Sequence, residues 1–106
     1  MTEPVILIKN KKRYNGAGVY VGRPSSLGNP FSIGIDGGRD EVIAKYQVWL
    51  EERLDHDCAA TRMFIELFDQ LCADNTLTLI CWCAPKNCHA KVIADMLLQA
   101  WREKYL

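Results

Sequence analysis

No apolar run in this chain approaches the roughly 20 residues that a helix needs to cross a bilayer, so no membrane partner is expected. The opening MTEPVILIKN has neither the basic n-region nor the long apolar stretch of a secretion signal. Net charge is missing as well. The 13 Lys and Arg balance 13 Asp and Glu, so no whole-protein field draws in nucleic acid or an anionic membrane. Repeats, linkers and low-complexity segments are absent, and no pair of carboxylates is set out for acid–base work. With five cysteines, an odd number, and nothing that reads as an export signal, a disulfide framework is not expected. The expectation is a cytoplasmic protein with reduced thiols. Nothing in the sequence speaks to oligomeric state.

What is present is ordinary globular material. Apolar residues make up 49% and charged residues 25% of the 106, enough for one domain, residues 1–106, to bury a core without staples. Residues 5–8 and 18–22 are short runs rich in β-branched residues, joined by a polar, turn-rich stretch, and read as a strand pair. Residues 23–38, RPSSLGNPFSIGIDGG, carry too much Pro and Gly for regular structure and read as a long loop. Long ordered loops in small domains are usually functional. Asp40 or a neighbour can cap a helix carrying Val42, Ile43, Tyr46, Trp49 or Leu50, and Leu54 at helical spacing. Met63, Phe64, Leu67, Phe68 and Leu71 mark a second helix, and Val92, Ile93, Met96, Leu97, Ala100 and Trp101 a last one. Between them, residues 77–83 read as a central strand buried on both faces. The fold class is then α/β: a small single-domain sandwich, a short sheet of about three or four strands flanked by about three helices, with the last strand near the middle.

CWCAPKNCH, residues 81–89, runs from the end of that strand into the final helix. In open α/β sheets ligands bind at such corners, because the helix start presents unpaired N–H groups and a positive dipole end. Cys81 and Cys83, two apart on a strand, would share one face, with Cys88 and His89 close by. Three readings stay open. In one, Cys81, Cys83, Cys88 and His89 hold a structural zinc, although adjacent Cys88 and His89 point apart and the spacing is no familiar finger pattern. In another, the helix start lowers the pKa of a thiol below its usual value of about 8.5, making Cys88 or Cys83 a nucleophile and His89 its base or acid. In the last, the cysteines are small hydrophobes in the core.

The loop offers a complementary wall. Arg23 carries a planar fork for phosphate or carboxylate, Ser25 and Ser26 bring hydroxyls, and Asn29 an amide that could read a base or ribose edge; Lys91 adds a cation past the corner. A plain turn around Gly28, Asn29 and Pro30 would need none of these roles. Cys58, Cys72 and His56 fit core or solvated helix positions. Lys9, Lys11, Lys12 and Arg13 sit almost together and read either as a solvated turn or as a contact to nucleic-acid phosphates.

GRPSSLGNPF (residues 22–31) and CWCAPKNCHAKVIADML (residues 81–97), with RDEVIAKYQVWL between them, resemble the family known as domain of unknown function 4326, small proteins of phage and bacterial genomes. The resemblance covers nearly the whole chain. It implies that both motifs build one site and that the chain is phage-encoded or bacterial, and it brings no reaction with it. The ending is also similar to the tail of another bacterial family whose motif continues Cys-His-Arg. Here Ala90 and Lys91 follow, so an arginine-dependent phosphate site is not implied. The expected ligand is a phosphorylated small molecule, a nucleotide above all, held between the two motifs, with a cysteine-dependent transferase or hydrolase as the enzymatic form. The rival is a non-catalytic binding or inhibitor protein whose Cys/His cluster is a zinc site or core.

Overall fold

Leu77, Leu79 and Cys81 are buried while Thr78 and Ile80 between them are half-buried, the period of a strand with one face turned to a core. The computed structural model describes residues 2–84 and 86–106. Pro85, inside the expected corner, lies outside the described residues. In chain order the elements are β1 (Val5–Asn10), β2 (Val19–Tyr20), α1 (Arg39–Arg53), α2 (Ala59–Asp74), β3 (Thr76–Cys81) and α3 (His89–Tyr105). The three strands form one sheet in the order β1-β3-β2.

Both outer strands run parallel to β3, β1 in the register Val5 to Thr76 through Asn10 to Cys81, and β2 with Val19 opposite Leu79 and Tyr20 opposite Ile80. The expected pairing of the first two strands is therefore not formed. Two apolar runs separated by a polar turn look like a hairpin locally, but β3 is the most apolar strand and satisfies both neighbours' backbones. The connection from β1 crosses beyond the end of β3, where the Lys11 N–H donates to the Cys81 carbonyl over 2.7 Å. It then drops into β2 close over the sheet. A Cβ at Gly18 would lie 2.9 Å from Ile80 Cδ1, so glycine lets the chain pass there without displacing the Ile80 side chain.

The helices cover one face of the sheet. α1 buries Val42, Tyr46 and Leu50, α2 buries Ala60, Phe64, Leu67 and Leu71, and α3 buries Ile93, Leu97 and Trp101 among others, each at helical spacing. Asn75, at φ 58°, closes α2 in the left-handed region and turns the chain into β3. The opposite sheet face stays uncovered, with Val5 56% and Leu7 44% exposed. The expectation that β3 is buried on both faces thus gives way to a two-layer α/β sandwich. Its strand ends at Cys81, so Cys83 lies beyond the sheet and does not share a strand face with Cys81. Among the described residues no helix is long and apolar enough to cross a membrane.

Candidate functional site

All three strands point their carboxyl ends, Asn10, Tyr20 and Cys81, to the same edge. Beyond that edge the loop of residues 23–38 and the corner that starts α3 face each other, as expected for a parallel sheet. The loop is held by its own motif. Tyr46 on α1 donates its hydroxyl to the Leu27 carbonyl over 2.7 Å, and the Asn29 amide reaches the Val42 carbonyl over 3.3 Å. Asn29 Oδ1 accepts the Phe31 N–H at 2.9 Å, while Arg23 gives Nε to the Asn29 carbonyl at 2.7 Å and a terminal nitrogen to the Phe31 carbonyl at 3.0 Å. A Cβ on Gly28 would come 3.0 Å from the Arg23 nitrogen, so the fold of the LGNP turn depends on that glycine. On the other wall, Asn10 donates to the carbonyls of Trp82 and Ala84 at 3.0 and 2.9 Å, and so β1 shapes the corner.

Between the walls lies a pocket of about 370 Å³, within the range of small-molecule sites. Arg23 and Arg39 supply its charge, Phe31 and Trp82 its aromatic faces, and Val42 and Ile43 part of its apolar lining. Arg39, the first residue of α1, donates to the Asn87 carbonyl over 3.0 Å and so ties α1 to the corner. Trp82 is 53% exposed and donates its indole N–H to the Tyr20 hydroxyl at 2.9 Å. Among the described residues no Asp or Glu lines this pocket. The start of α3 opens onto it through Cys88 and His89, with no acidic residue in its first turn and no side chain capping its N–H groups.

A family model covers residues 6–99 of the chain, both walls included. The chain belongs to the family described as Domain of unknown function (DUF4326). No curated protein and no solved structure matches it.

In this DUF4326 chain, Arg23, Asn29, Cys83, Cys88 and His89 meet at one pocket, although they come from segments some 60 positions apart in the sequence. Ser25, Ser26 and Lys91 stand outside its lining. The Ser25 hydroxyl oxygen is buried with no hydrogen-bond partner among the described residues, and Ser26 is exposed. Lys91 borders a neighbouring depression of about 160 Å³. Asn29 is largely committed to the loop itself through the bonds above. Arg39 and Trp82, which sequence reasoning misses, complete the pocket. Arg39 follows Gly37 and Gly38 at a helix start, and Trp82 sits between two cysteines whose thiols are the stronger local signal.

His89 is half-buried, with its ring edge-on to Tyr46 at 5.0 Å between centroids. Its Nε2 lies 2.7 Å from the Val21 carbonyl. Burial holds its pKa below the ordinary value and the positive charge of Arg23 adds to this, against the pull of the Val21 carbonyl. The ring is therefore neutral near pH 7. A carbonyl can only accept, so Nε2 carries the proton and Nδ1 is left as a base.

The thiols depart from expectation. Cys88 is the N-cap of α3, yet it is 4% exposed and its thiol donates to the Cys81 sulfur over 3.2 Å. That bond and burial push its pKa up, not down as the helix dipole alone would have it. Cys81, fully buried, moves the other way because it receives the Cys88 S–H, with backbone N–H groups of Ala84 and Cys83 adding to this. Cys83 is the half-buried thiol that faces the pocket. As for zinc, among the described residues no three His, Cys, Asp or Glu side chains are placed to hold a metal. Cys81 and Cys88 face each other and His89 turns Nε2 to a carbonyl, so the set of Cys81, Cys83, Cys88 and His89 does not fit a tetrahedral site as arranged.

Proposed function

We propose that this DUF4326 chain binds a nucleotide in the pocket between the two motifs. The observation that carries the reading is the lining itself: two arginines, two aromatic side chains and, among the described residues, no carboxylate around about 370 Å³. Arg23, whose Nε edge is held by the loop carbonyls but whose charge lines the pocket, and Arg39 suit a phosphate together with the uncapped start of α3, since positive charge and aligned N–H groups both favour an anion. Trp82 and Phe31 suit the base, since every base has a face that stacks on an aromatic ring. Nδ1 of His89 is the proton acceptor of the site, and Cys83 is its thiol. The five unpaired cysteines support residence in the reducing cytoplasm.

The binding is tested by following the Trp82 indole N–H resonance while nucleoside monophosphates, nucleosides and inorganic phosphate are added in turn. Monophosphates should shift it at lower concentration than either part alone, and Arg39→Ala should weaken them about tenfold or more, the loss of one charge-assisted pair. No shift with any monophosphate up to millimolar concentration would remove the proposal. A second reading, a binding protein without catalysis, is supported by Cys88, whose thiol is turned into the core and away from attack.

A further inference from the structure

The balanced charge of the chain conceals a separation. From Pro4 to Ile35 there are five cations, Lys9, Lys11, Lys12, Arg13 and Arg23, and no Asp or Glu. From Thr76 to Ala94 there are Lys86 and Lys91 and again no acid. These two stretches hold all three strands and the turns that follow them. Parallel pairing brings those turns to one edge, so seven of the 13 cations come from acid-free stretches that meet there.

That edge is also grooved. The nucleotide pocket shares Asn87 and Cys88 with the depression of about 160 Å³ that carries Lys86 and Lys91. This in turn shares Ile8 and Ala84 with a hollow of about 290 Å³ lined by Lys9, Asn10, Arg13 and Tyr14. Among the described residues none of the three is lined by a carboxylate, whereas hollows against the helices carry Glu51 and Glu103, or Glu52. Aromatic rings stand among the cations. The Lys11 ammonium lies 4.4 Å from the Tyr20 ring centre and 6.0 Å from that of Trp82, and Lys9 lies 5.9 Å from Tyr14.

Resting on the nucleotide reading of the pocket, we infer that the ligand is one nucleotide of a single-stranded nucleic acid, its neighbouring phosphates running along the groove past Lys86, Lys91, Lys9 and Arg13. A track of cations interleaved with one exposed ring, Trp82, and two half-buried ones, Tyr14 and Tyr20, suits a flexible strand with unstacked bases. A duplex offers no base to a recessed pocket unless the base is flipped out.

Fluorescence anisotropy with a labelled oligonucleotide of about 12 nucleotides, near the span such grooves cover, tests this beside the same sequence as a duplex and beside the mononucleotide titration of Trp82. The single strand should bind at least about tenfold tighter than either the duplex or the mononucleotide, with affinity falling steeply as salt rises. The exposed cations of the groove outside the pocket can be removed together as Arg13→Ala, Lys86→Ala and Lys91→Ala. The variant should lower the salt slope by about 2, at roughly 0.7 for each strand phosphate that is no longer neutralised, while its melting temperature and the mononucleotide shifts stay as they were. If mononucleotides bind but the oligonucleotide gains nothing, or the triple variant binds it unchanged, the groove inference is refuted and the pocket reading stands. Equal affinity for duplex refutes the single-strand assignment. If mononucleotides fail to bind, the pocket reading falls and takes this inference with it.

Discussion

Tyr46→Phe removes one oxygen and nothing else from a fully buried side chain, which makes its cost calculable. The hydroxyl donates to the carbonyl of Leu27, itself fully buried, over 2.7 Å. Phenylalanine keeps the ring against His89 and Trp49, so apolar burial is unchanged and the loss is that of an orphaned carbonyl, about 1 to 3 kcal/mol. At the usual unfolding entropy per residue, a chain of 106 residues should melt about 4 to 13 °C lower. Tyr20→Phe is the control. Its hydroxyl makes two bonds, to the Arg23 carbonyl and from Trp82, but both are exposed, and water replaces them at a cost under about 1 kcal/mol. Burial also pushes the Tyr46 pKa above its ordinary 10.0. The unfolded chain then releases this proton first as pH rises, so the stabilisation is full below pH 10 and erodes above it. Urea unfolding at neutral pH and at about pH 11 reads both effects. A Phe variant within about 0.5 kcal/mol of the parent at neutral pH, or a gap that does not narrow at the alkaline end, would refute the reasoning.

The thiols should label by their surroundings and not by the helix dipole, since Cys58 and Cys88 both cap helices. Cys58 is lowered by the Thr61 hydroxyl and is only half-buried, so alkylation near neutral pH with mass mapping should find it early and find Cys88 only after denaturant. The His89 pKa is depressed by burial, so the unfolded state takes up a proton first as pH falls below 6.5, and stability should decline from there downward. An NMR titration of the ring should show it still neutral where a free histidine is half charged. Asn10→Ala removes the donors to Trp82 and Ala84 and the acceptor of the Lys12 N–H. Only the bond to Ala84 is part-buried, so the change should cost about 1 kcal/mol and broaden the Trp82 indole resonance, whereas an unchanged denaturation midpoint would mean that the corner holds itself.

Local chemistry is enough to read the three helices, the long loop and the strand that ends at the cysteine cluster. Each depends on spacing within a dozen residues: Val42, Tyr46 and Leu50 on one helix stripe, or Leu77 and Leu79 on one strand face. The meeting of the two motifs is legible only through the family resemblance that joins them, while the strand-to-helix corner by itself marks one of the two walls. Strand order is not legible. A polar connection between two apolar runs is compatible with a hairpin or a crossing, and only the presence of β3 with two open edges decides between them. Cys58 and Cys88 make the point more sharply. Both are N-caps in extended backbone, φ −148° and −152°, each with ψ 173°, and their thiols shift in opposite directions. The helix above each is much the same. What differs is the neighbour that the fold brings from elsewhere: for Cys58 the local Thr61 and solvent, for Cys88 the sulfur of Cys81 in a dry core. The charges follow the same rule, since the order of lysines along the chain is written in the sequence, but their assembly into one groove exists only where three parallel strands end together. Periodicity is a property of neighbours in the chain, whereas desolvation and field are properties of neighbours in space.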